Sequence, residues 1–520
     1  MTTRVLVVTA DVLRLQMAGP AMRAWHIAEG LAAQGNQVRL VTTSPYCEIG
    51  SDRFDVQRAG PAELAEAERW CDVMLLQGYV THHFPELGTS GKILVFDLYD
   101  PLHLETLALT HGATSQARDD HVRLSVATLN DQLARADFVL CASERQRDLW
   151  LGQLCALGRV NPLTYDDDPS LRRLIDVVPF GLPDEQPRHQ RPALRGVVEG
   201  IGPNDHIVVW AGGVYDWFDP LSVIHAVHRL SGRLPSVRLV FMGTRHPNPD
   251  VPEMQMMSRA RALADELGIT GHHVFFNEGW VPYADRENYL LEADLGVTAH
   301  FESSETRFAF RTRALDYLWA GVPVVSTRGD FFAELIEKEG LGLTVPAEDV
   351  PALEQALYLL LTDEVLAQKS RSQATRVREH FRWSVALGPL VRFCNQPRRA
   401  PDLAAKAGIS KGAALVSSPV SMSSPVIMPD PVAADVAAAD VATADPAVLS
   451  TSAAGAAAAD VAAADVAAAG PAAAHPAAPA MTRSVVSLVR YHYQAGGIGQ
   501  VATRAVQKAL RLTGRRRAKG

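Results

Sequence analysis

Apolar residues fall in short unbroken runs, and the stretches between them carry helical spacing. Runs at 4–9, 37–42, 73–76, 93–96 and 138–142 are followed by runs at 206–210, 237–241, 273–277, 295–298, 322–325 and 343–345. Runs of four to six apolar residues without alternation predict strands buried on both faces, as in parallel sheets. Helical patterns separate them, among them 119–134, 221–230, 350–362 and 363–380, and a helix beginning at Ser143-Glu144-Arg145-Gln146 with serine as its cap. Strands alternating with helices predict doubly wound α/β architecture, here twice in succession. Val177-Val178-Pro179-Phe180-Gly181-Leu182-Pro183 forms a defined bend, and 184–195 is polar and proline-rich. The expected domains are therefore 1–183 and 184–380, with Phe381-Arg382-Trp383-Ser384 leading a last segment, 381–396, back onto the first domain.

The stretch from Glu305 to Thr327 organises the second domain. A polar loop, 300–307, feeds a helix on which Phe310, Ala314, Tyr317 and Leu318 recur at three- and four-residue steps. Gly321 supplies the helix stop and Pro323 prevents its continuation. A helix start offers unpaired N–H groups and the positive end of a dipole. Arg307, Arg311 and Arg313 add positive charge there, which suits a diphosphate.

Other strand ends carry chemistry. Asp97-Leu98-Tyr99-Asp100-Pro101-Leu102-His103-Leu104-Glu105 follows a strand at the end where open α/β sheets place ligands, which makes Asp97, Asp100 and His103 candidate catalytic residues. Arg23 and His26, after the first strand, are candidates to face a ligand, or else a solvated arginine and a packed histidine. Ala211-Gly212-Gly213-Val214-Tyr215-Asp216-Trp217 is a glycine-rich strand exit that lets backbone N–H groups approach phosphate. Tyr215, Asp216 and Trp217 follow the glycines in place of a cation; Arg245, Arg311 and Arg313 are the candidate cations for a phosphate there, while Trp217 is placed to stack on a base or sugar or to pack at an interface.

Four segments, 97–105, 177–183, 212–220 and 305–325, together resemble family-4-like glycosyltransferases with the GT-B fold, and the resemblance runs from residue 1 to about 396. In that family a carboxylate five residues before the glycine of a Gly-x-Pro-Val-Val strand binds the nucleotide ribose; Asp316 holds that position here. The family pattern has two glutamates eight residues apart. This chain has Asp316 for the second, and the first falls on Phe308, with Glu305 three residues earlier as a candidate in its place. The resemblance implies two Rossmann-like domains around a cleft, transfer of a hexose-type sugar from a nucleotide-diphosphate donor to a glycan or lipid-linked acceptor, retention of configuration, and neither metal nor resident cofactor. It implies donor-binding roles for Gly212, Gly213, Arg245, Arg307, Arg311, Arg313 and Asp316. A nucleotide-sugar epimerase and a non-catalytic nucleotide-sugar-binding scaffold are the alternatives on the same fold.

Composition narrows the setting. The 520 residues carry a net charge of −8 at pH 7, which argues against a nucleic-acid partner. Five scattered cysteines without metal spacing predict reduced thiols. Met1-Thr2-Thr3-Arg4 runs straight into a strand, with no signal-peptide layout, and no long uncharged apolar run appears, so a cytoplasmic protein without a transmembrane helix is expected. From 397 to 482 the chain is rich in Ala, Pro and Asp and reads as a disordered linker. From 483 to 520 it is basic, with Val501, Ala505, Ala509 and Leu512 on one helix face and Arg504, Lys508, Arg511 and Arg515 on another; this suits peripheral contact with an anionic membrane, or a solvated tail.

Overall fold

The structure is a computed structural model that describes residues 2–110, 114–245 and 254–412. The greater part of the expected linker and all of the basic tail lie outside the described residues.

Thirteen strands form two wholly parallel sheets among the described residues. The first contains β1 (Arg4–Thr9), β2 (Gln37–Thr42), β3 (Asp55–Arg58), β4 (Val73–Gln77), β5 (Ile93–Asp97), β6 (Phe138–Cys141) and β7 (Ile175–Val177), in the order β3-β2-β1-β4-β5-β6-β7. The second contains β8 (His206–Trp210), β9 (Val237–Phe241), β10 (Val274–Phe276), β11 (Leu295–Thr298), β12 (Val324–Thr327) and β13 (Gly342–Val345), in the order β10-β9-β8-β11-β12-β13. Central strands are buried along almost their whole length: Val5 to Val8 and Ile207 to Trp210 have no exposed surface. That burial on both faces is why their sequences show no alternation. In each sheet the strand order reverses once, between β1 and β4 and between β8 and β11. A crevice opens outside the carboxyl ends of the strands at such a point.

Two strands had no apolar signal. β3 is a largely exposed edge strand of sequence Asp-Val-Gln-Arg, and β7 is three residues long. The polar stretch before Arg311 is also more ordered than a loop. Ser303 accepts from the Thr306 N–H at 3.1 Å and caps a short helix, Ser304–Phe308; the chain then breaks at 309–311 before the helix Thr312–Ala320. Gly321 ends that second helix at φ 67°, the left-handed conformation glycine adopts without steric cost.

Tyr317 locks this helix to its sheet. Its ring lies where a Cβ on Gly296 would sit, 2.4 Å from the ring carbon, so β11 admits only glycine there. Its hydroxyl accepts from the Ala211 N–H at 2.9 Å and faces the carbonyls of Val209 and Val297, each at 2.9 Å.

The segment after 380 returns to the first sheet. Leu182 N–H donates to the Phe381 carbonyl at 2.7 Å, Trp383 N–H donates to the Leu182 carbonyl at 2.9 Å, and the Phe138 and Phe393 rings stack at 4.6 Å. The expected boundary at 397 is corrected, because the chain stays packed on the first domain beyond it. Ala400 is buried and its N–H donates to Asp137 at 2.9 Å. A helix, Pro401–Gly412, then places Asp402 on the guanidinium of Arg159 at 2.7 Å, with both side chains at most 3% exposed. Arg159 is a cation sealed in the first domain, and Asp402 is its counter-ion.

Candidate active site

A cavity of about 290 Å³ opens where the two reversals in strand order face one another. Met17, Ala18, Gly19, Pro20 and Met22 after β1, and Tyr99, Asp100, Glu105 and Leu109 after β5, line one wall. The opposite wall comes from Ala211, Gly212, Gly213, Tyr215, Trp217 and Phe218 after β8, Met242 and Gly243 after β9, Trp280, Val281, Tyr283 and Arg286 after β10, and Phe310, Arg311, Thr312, Arg313 and Asp316 after β11.

On that second wall the break at 309–311 turns Arg311 back onto Glu305. The pair is bidentate, Nη1 to Oε1 at 2.9 Å and Nη2 to Oε2 at 2.6 Å, with Arg311 6% and Glu305 3% exposed. Such fork-to-fork geometry holds the guanidinium in one orientation. Arg313 donates from Nη2 to the Gly213 carbonyl at 2.7 Å, and its guanidinium lies 4.3 Å from the Trp210 ring centre and 4.1 Å from that of Phe218. Its Nη1 is buried without a hydrogen-bond partner. Burial, with repulsion from Arg311, pushes Arg313 down to about 10. Asp316, one helical turn on, faces the Arg286 Nε at 3.2 Å; burial pushes its carboxyl up while Arg286 and Arg313 oppose the shift. Gly212 takes φ +81°, and a Cβ on Gly213 would lie 3.3 Å from Trp280, so backbone lines this part of the cavity.

The first wall is acidic. Asp100 accepts from the Tyr99 hydroxyl, yet burial and the neighbouring Asp97 and Glu305 push it up to about 7. Burial, with repulsion from Asp100 and Glu305, raises Glu105 well above the ordinary carboxylate range. Across the cavity, Arg311 is the charge that opposes this rise.

Gly212, Gly213, Arg311, Arg313, Asp316 and Asp100 are thus brought together. Five other candidates are not. Asp97, the last residue of β5, is sealed behind the cavity, where the Arg23 guanidinium donates to both its oxygens at 2.7 and 2.8 Å and Gln77 donates at 2.9 Å. Arg23 therefore belongs to the interior, while His26 stacks on Trp383, 5.0 Å between ring centres. His103 sits on the helix Leu102–Leu109 two residues before Glu105, hence on nearly the opposite face. It packs 5.9 Å from Trp150, and burial lowers its pKa. Glu305 is saturated by Arg311 and does not line the cavity. Arg307, in the last turn of the short helix, is exposed, and Arg245 is exposed beyond the lining residues Met242 and Gly243.

Glu105, quoted in the sequence only as part of the 97–105 motif, and Trp280, Tyr283 and Arg286, whose segment 279–286 the resemblance places beside the nucleotide base through backbone contacts alone, also line the cavity with side chains to which no role was assigned. The Arg286 guanidinium stacks 3.5 Å from the Tyr283 ring centre. Its place at the start of the helix Arg286–Leu291 after a strand exit was the available signal.

Residues 205–363, which include this arginine-bearing wall, match the family model described as Glycosyl transferases group 1. This chain is a glycosyltransferase. No curated protein matches the enzyme by sequence. Its fold is that of sucrose-phosphate synthase from Thermosynechococcus elongatus, at 16% identity and a TM-score of 0.52 over 79% of this chain and 100% of the other. It is also that of an E. coli structure described as trehalose-6-phosphate bound with UDP-2-fluoro glucose, at 13% identity and 0.53 over 76% and 100%. Anabaena HepE in complex with UDP-glucose matches at 14% identity and 0.51 over 78% and 100%. The glycosyltransferase accordingly has the GT-B fold of two parallel-sheet lobes around a cleft. Among its described residues no helix is long and apolar enough to cross a membrane.

Proposed function

We infer that the enzyme transfers a hexose-type sugar from a nucleoside-diphosphate donor to a hydroxyl of a glycan or lipid-linked acceptor, with retention and without a metal or resident cofactor. The observation that carries this reading is the convergence of Arg311, Arg313 and Asp316 with the Gly212–Gly213 backbone on one cavity between the two sheets. A diphosphate seated against Arg313 gives its buried Nη1 an acceptor and relieves the repulsion from Arg311. As the bond from the sugar C1 to the diphosphate breaks, charge grows on the leaving oxygen. Arg311, Arg313 and the N–H groups opening the helix Thr312–Ala320 offset that charge in place. The acceptor oxygen bonds to C1 and its proton passes to the departing diphosphate, so no side chain has to act as nucleophile. Asp316 accepts from ribose hydroxyls. Asp100 and Glu105 face the sugars from the other wall.

Structures of the same fold hold UDP-glucose and UDP-2-fluoro glucose, so uridine diphosphate sugars head the panel to be tested. Nucleotide sugars should be screened for a shift in melting temperature. The one that binds should then be incubated with glycan and lipid-linked acceptors while nucleoside diphosphate release and the anomeric proton of the product are followed. Transfer with the donor configuration kept, undiminished by EDTA, is expected. A donor epimer formed without acceptor, or binding without turnover on any acceptor, contradicts the reading. Contact of the basic tail 483–520 with anionic membrane belongs to the same reading: deleting 413–520 should abolish sedimentation with phosphatidylserine vesicles and leave donor turnover intact.

A further inference from the structure

Gln146 spans the two walls of the cavity, although it lines neither. It sits on the first turn of the helix Glu144–Ala156, whose cap is the Ser143 hydroxyl, and it has no exposed surface. Its amide nitrogen donates to the Tyr99 carbonyl at 2.7 Å and to the Phe308 carbonyl at 2.8 Å. Its amide oxygen accepts from the Ala142 N–H at 2.7 Å. The partners fix the orientation of the amide, since two carbonyls can face only the NH₂ end.

Each carbonyl belongs to a loop that carries site chemistry. Tyr99 precedes Asp100 on the first wall. Phe308 ends the short helix whose break lets Arg311 and Arg313 enter the second wall. One amide from the first domain therefore holds both loops at once. The preceding side chain repeats the span: Arg145 donates from Nη1 to the Gly329 carbonyl at 2.8 Å and pairs with Glu334, both in the second lobe. Arg145 is partly exposed and its ion pair is weak on that ground. Gln146 is sealed, and its bonds do not compete with water.

We propose that Gln146 is a positioning residue that sets the Asp100 loop against the Arg311 loop, so that the donor diphosphate and the groups on the opposite wall meet in reacting geometry. This rests on the glycosyltransferase reading of the cavity. The diphosphate seat keeps its own contacts without Gln146, Arg311 on Glu305 and Arg313 on the Gly213 carbonyl, so losing the bridge should impair turnover far more than donor affinity. Misplacement by about 1 Å costs on the order of a hundredfold in rate.

The test uses Gln146→Glu in the full chain. That change keeps the size and the oxygen facing the Ala142 N–H, but turns an oxygen rather than NH₂ toward the two carbonyls. Expected are a roughly ten- to hundredfold fall in kcat with the KM for donor, and the Kd for uridine diphosphate, within about threefold of the parent. Hydrogen–deuterium exchange should quicken in peptides covering 99–109 and 308–312, with β1 and β8 unchanged. The exchange result stands even if no nucleotide sugar is turned over by the parent, which would sink the catalytic reading alone. If Gln146→Glu exchanges globally, Gln146→Met, which removes the bonds without adding charge, carries the same expectations. Unaltered kcat, or exchange in those two segments indistinguishable from the parent, overturns the proposal.

Discussion

The guanidinium of Arg313 donates to the carbonyl oxygen of Gly213 at 2.7 Å, joining two loops that lie 100 residues apart in sequence. One loop supplies backbone that lines the cavity without side chains, and the other supplies the cation. Glycine-rich phosphate loops often carry their own basic residue; here the charge reaches the glycines from the start of a distant helix.

Asp316 stands one helical turn beyond Arg313, and the proposed function has it accept from ribose. Asp316→Ala should weaken uridine diphosphate binding and also erase the preference for it over its 2′,3′-dideoxy analogue. Calorimetric Kd values for both ligands on both proteins check this. A preserved preference in the variant would place the ribose elsewhere.

The Tyr317 hydroxyl holds the Ala211 N–H at the root of the glycine loop. Tyr317→Phe leaves that buried N–H without a partner, at a cost of about 1–3 kcal/mol. Urea unfolding should report this loss at an unchanged m-value, and nucleotide affinity should fall with it.

Burial pushes Asp100 up to about 7, with Asp97 and Glu305 adding to the shift and Tyr99 and Arg23 opposing it. The folded state thus binds this proton more tightly than the unfolded chain, whose aspartates titrate near about 4. Stabilisation from protonated Asp100 is complete below that value and is lost as pH rises through about 7. Asp100→Asn, neutral throughout, should flatten the decline of Tm between pH 4 and pH 8 and raise Tm at pH 8. Parallel profiles for the two proteins would show that the carboxyl does not titrate there.

Asp402 closes the ion pair on Arg159 from outside the region that reads as globular. A chain ending at 396 leaves that guanidinium sealed and unpaired, a loss of about 3–5 kcal/mol. A chain ending at Gly412 should melt with the full-length protein. Calorimetric scans of the three lengths decide it, and equal Tm for the 396 form would mean that the helix Pro401–Gly412 is not part of the folded domain.

The sheets were legible because a strand buried on both faces needs unbroken apolar sequence, as in Val5 to Val8 and Ile207 to Trp210. Asp55–Arg58 was not, since an exposed edge strand buries nothing and its polar residues carry no period. Gly321 and Pro323 marked the helix end from backbone chemistry alone. The break at 309–311 left no such mark: the spacing of Phe310, Ala314, Tyr317 and Leu318 is the same whether the helix starts at Arg307 or at Thr312. That break is what separates exposed Arg307 from the two arginines in the cavity. Asp97 was recognised as an acid at a strand end and Glu305 as a loop acid in place of the family's first glutamate, but whether an acid faces ligand or a buried arginine depends on how the chain folds back, onto Arg23 for one and the turned-back Arg311 for the other. His103 and Glu105 differ only in helix face, which eight residues of weakly amphipathic sequence do not decide.

In the proposed function Arg313 and its neighbours seat a diphosphate. Calorimetric titration of uridine, guanosine and adenosine diphosphates into the full chain and into Arg313→Ala decides whether they do. At least one nucleotide should bind the parent, and its affinity should drop by about tenfold or more in the variant, in line with loss of a charge-assisted hydrogen bond of roughly 1.5–3 kcal/mol. Equal affinity in the two proteins, or binding of none of the three to the parent, would contradict it.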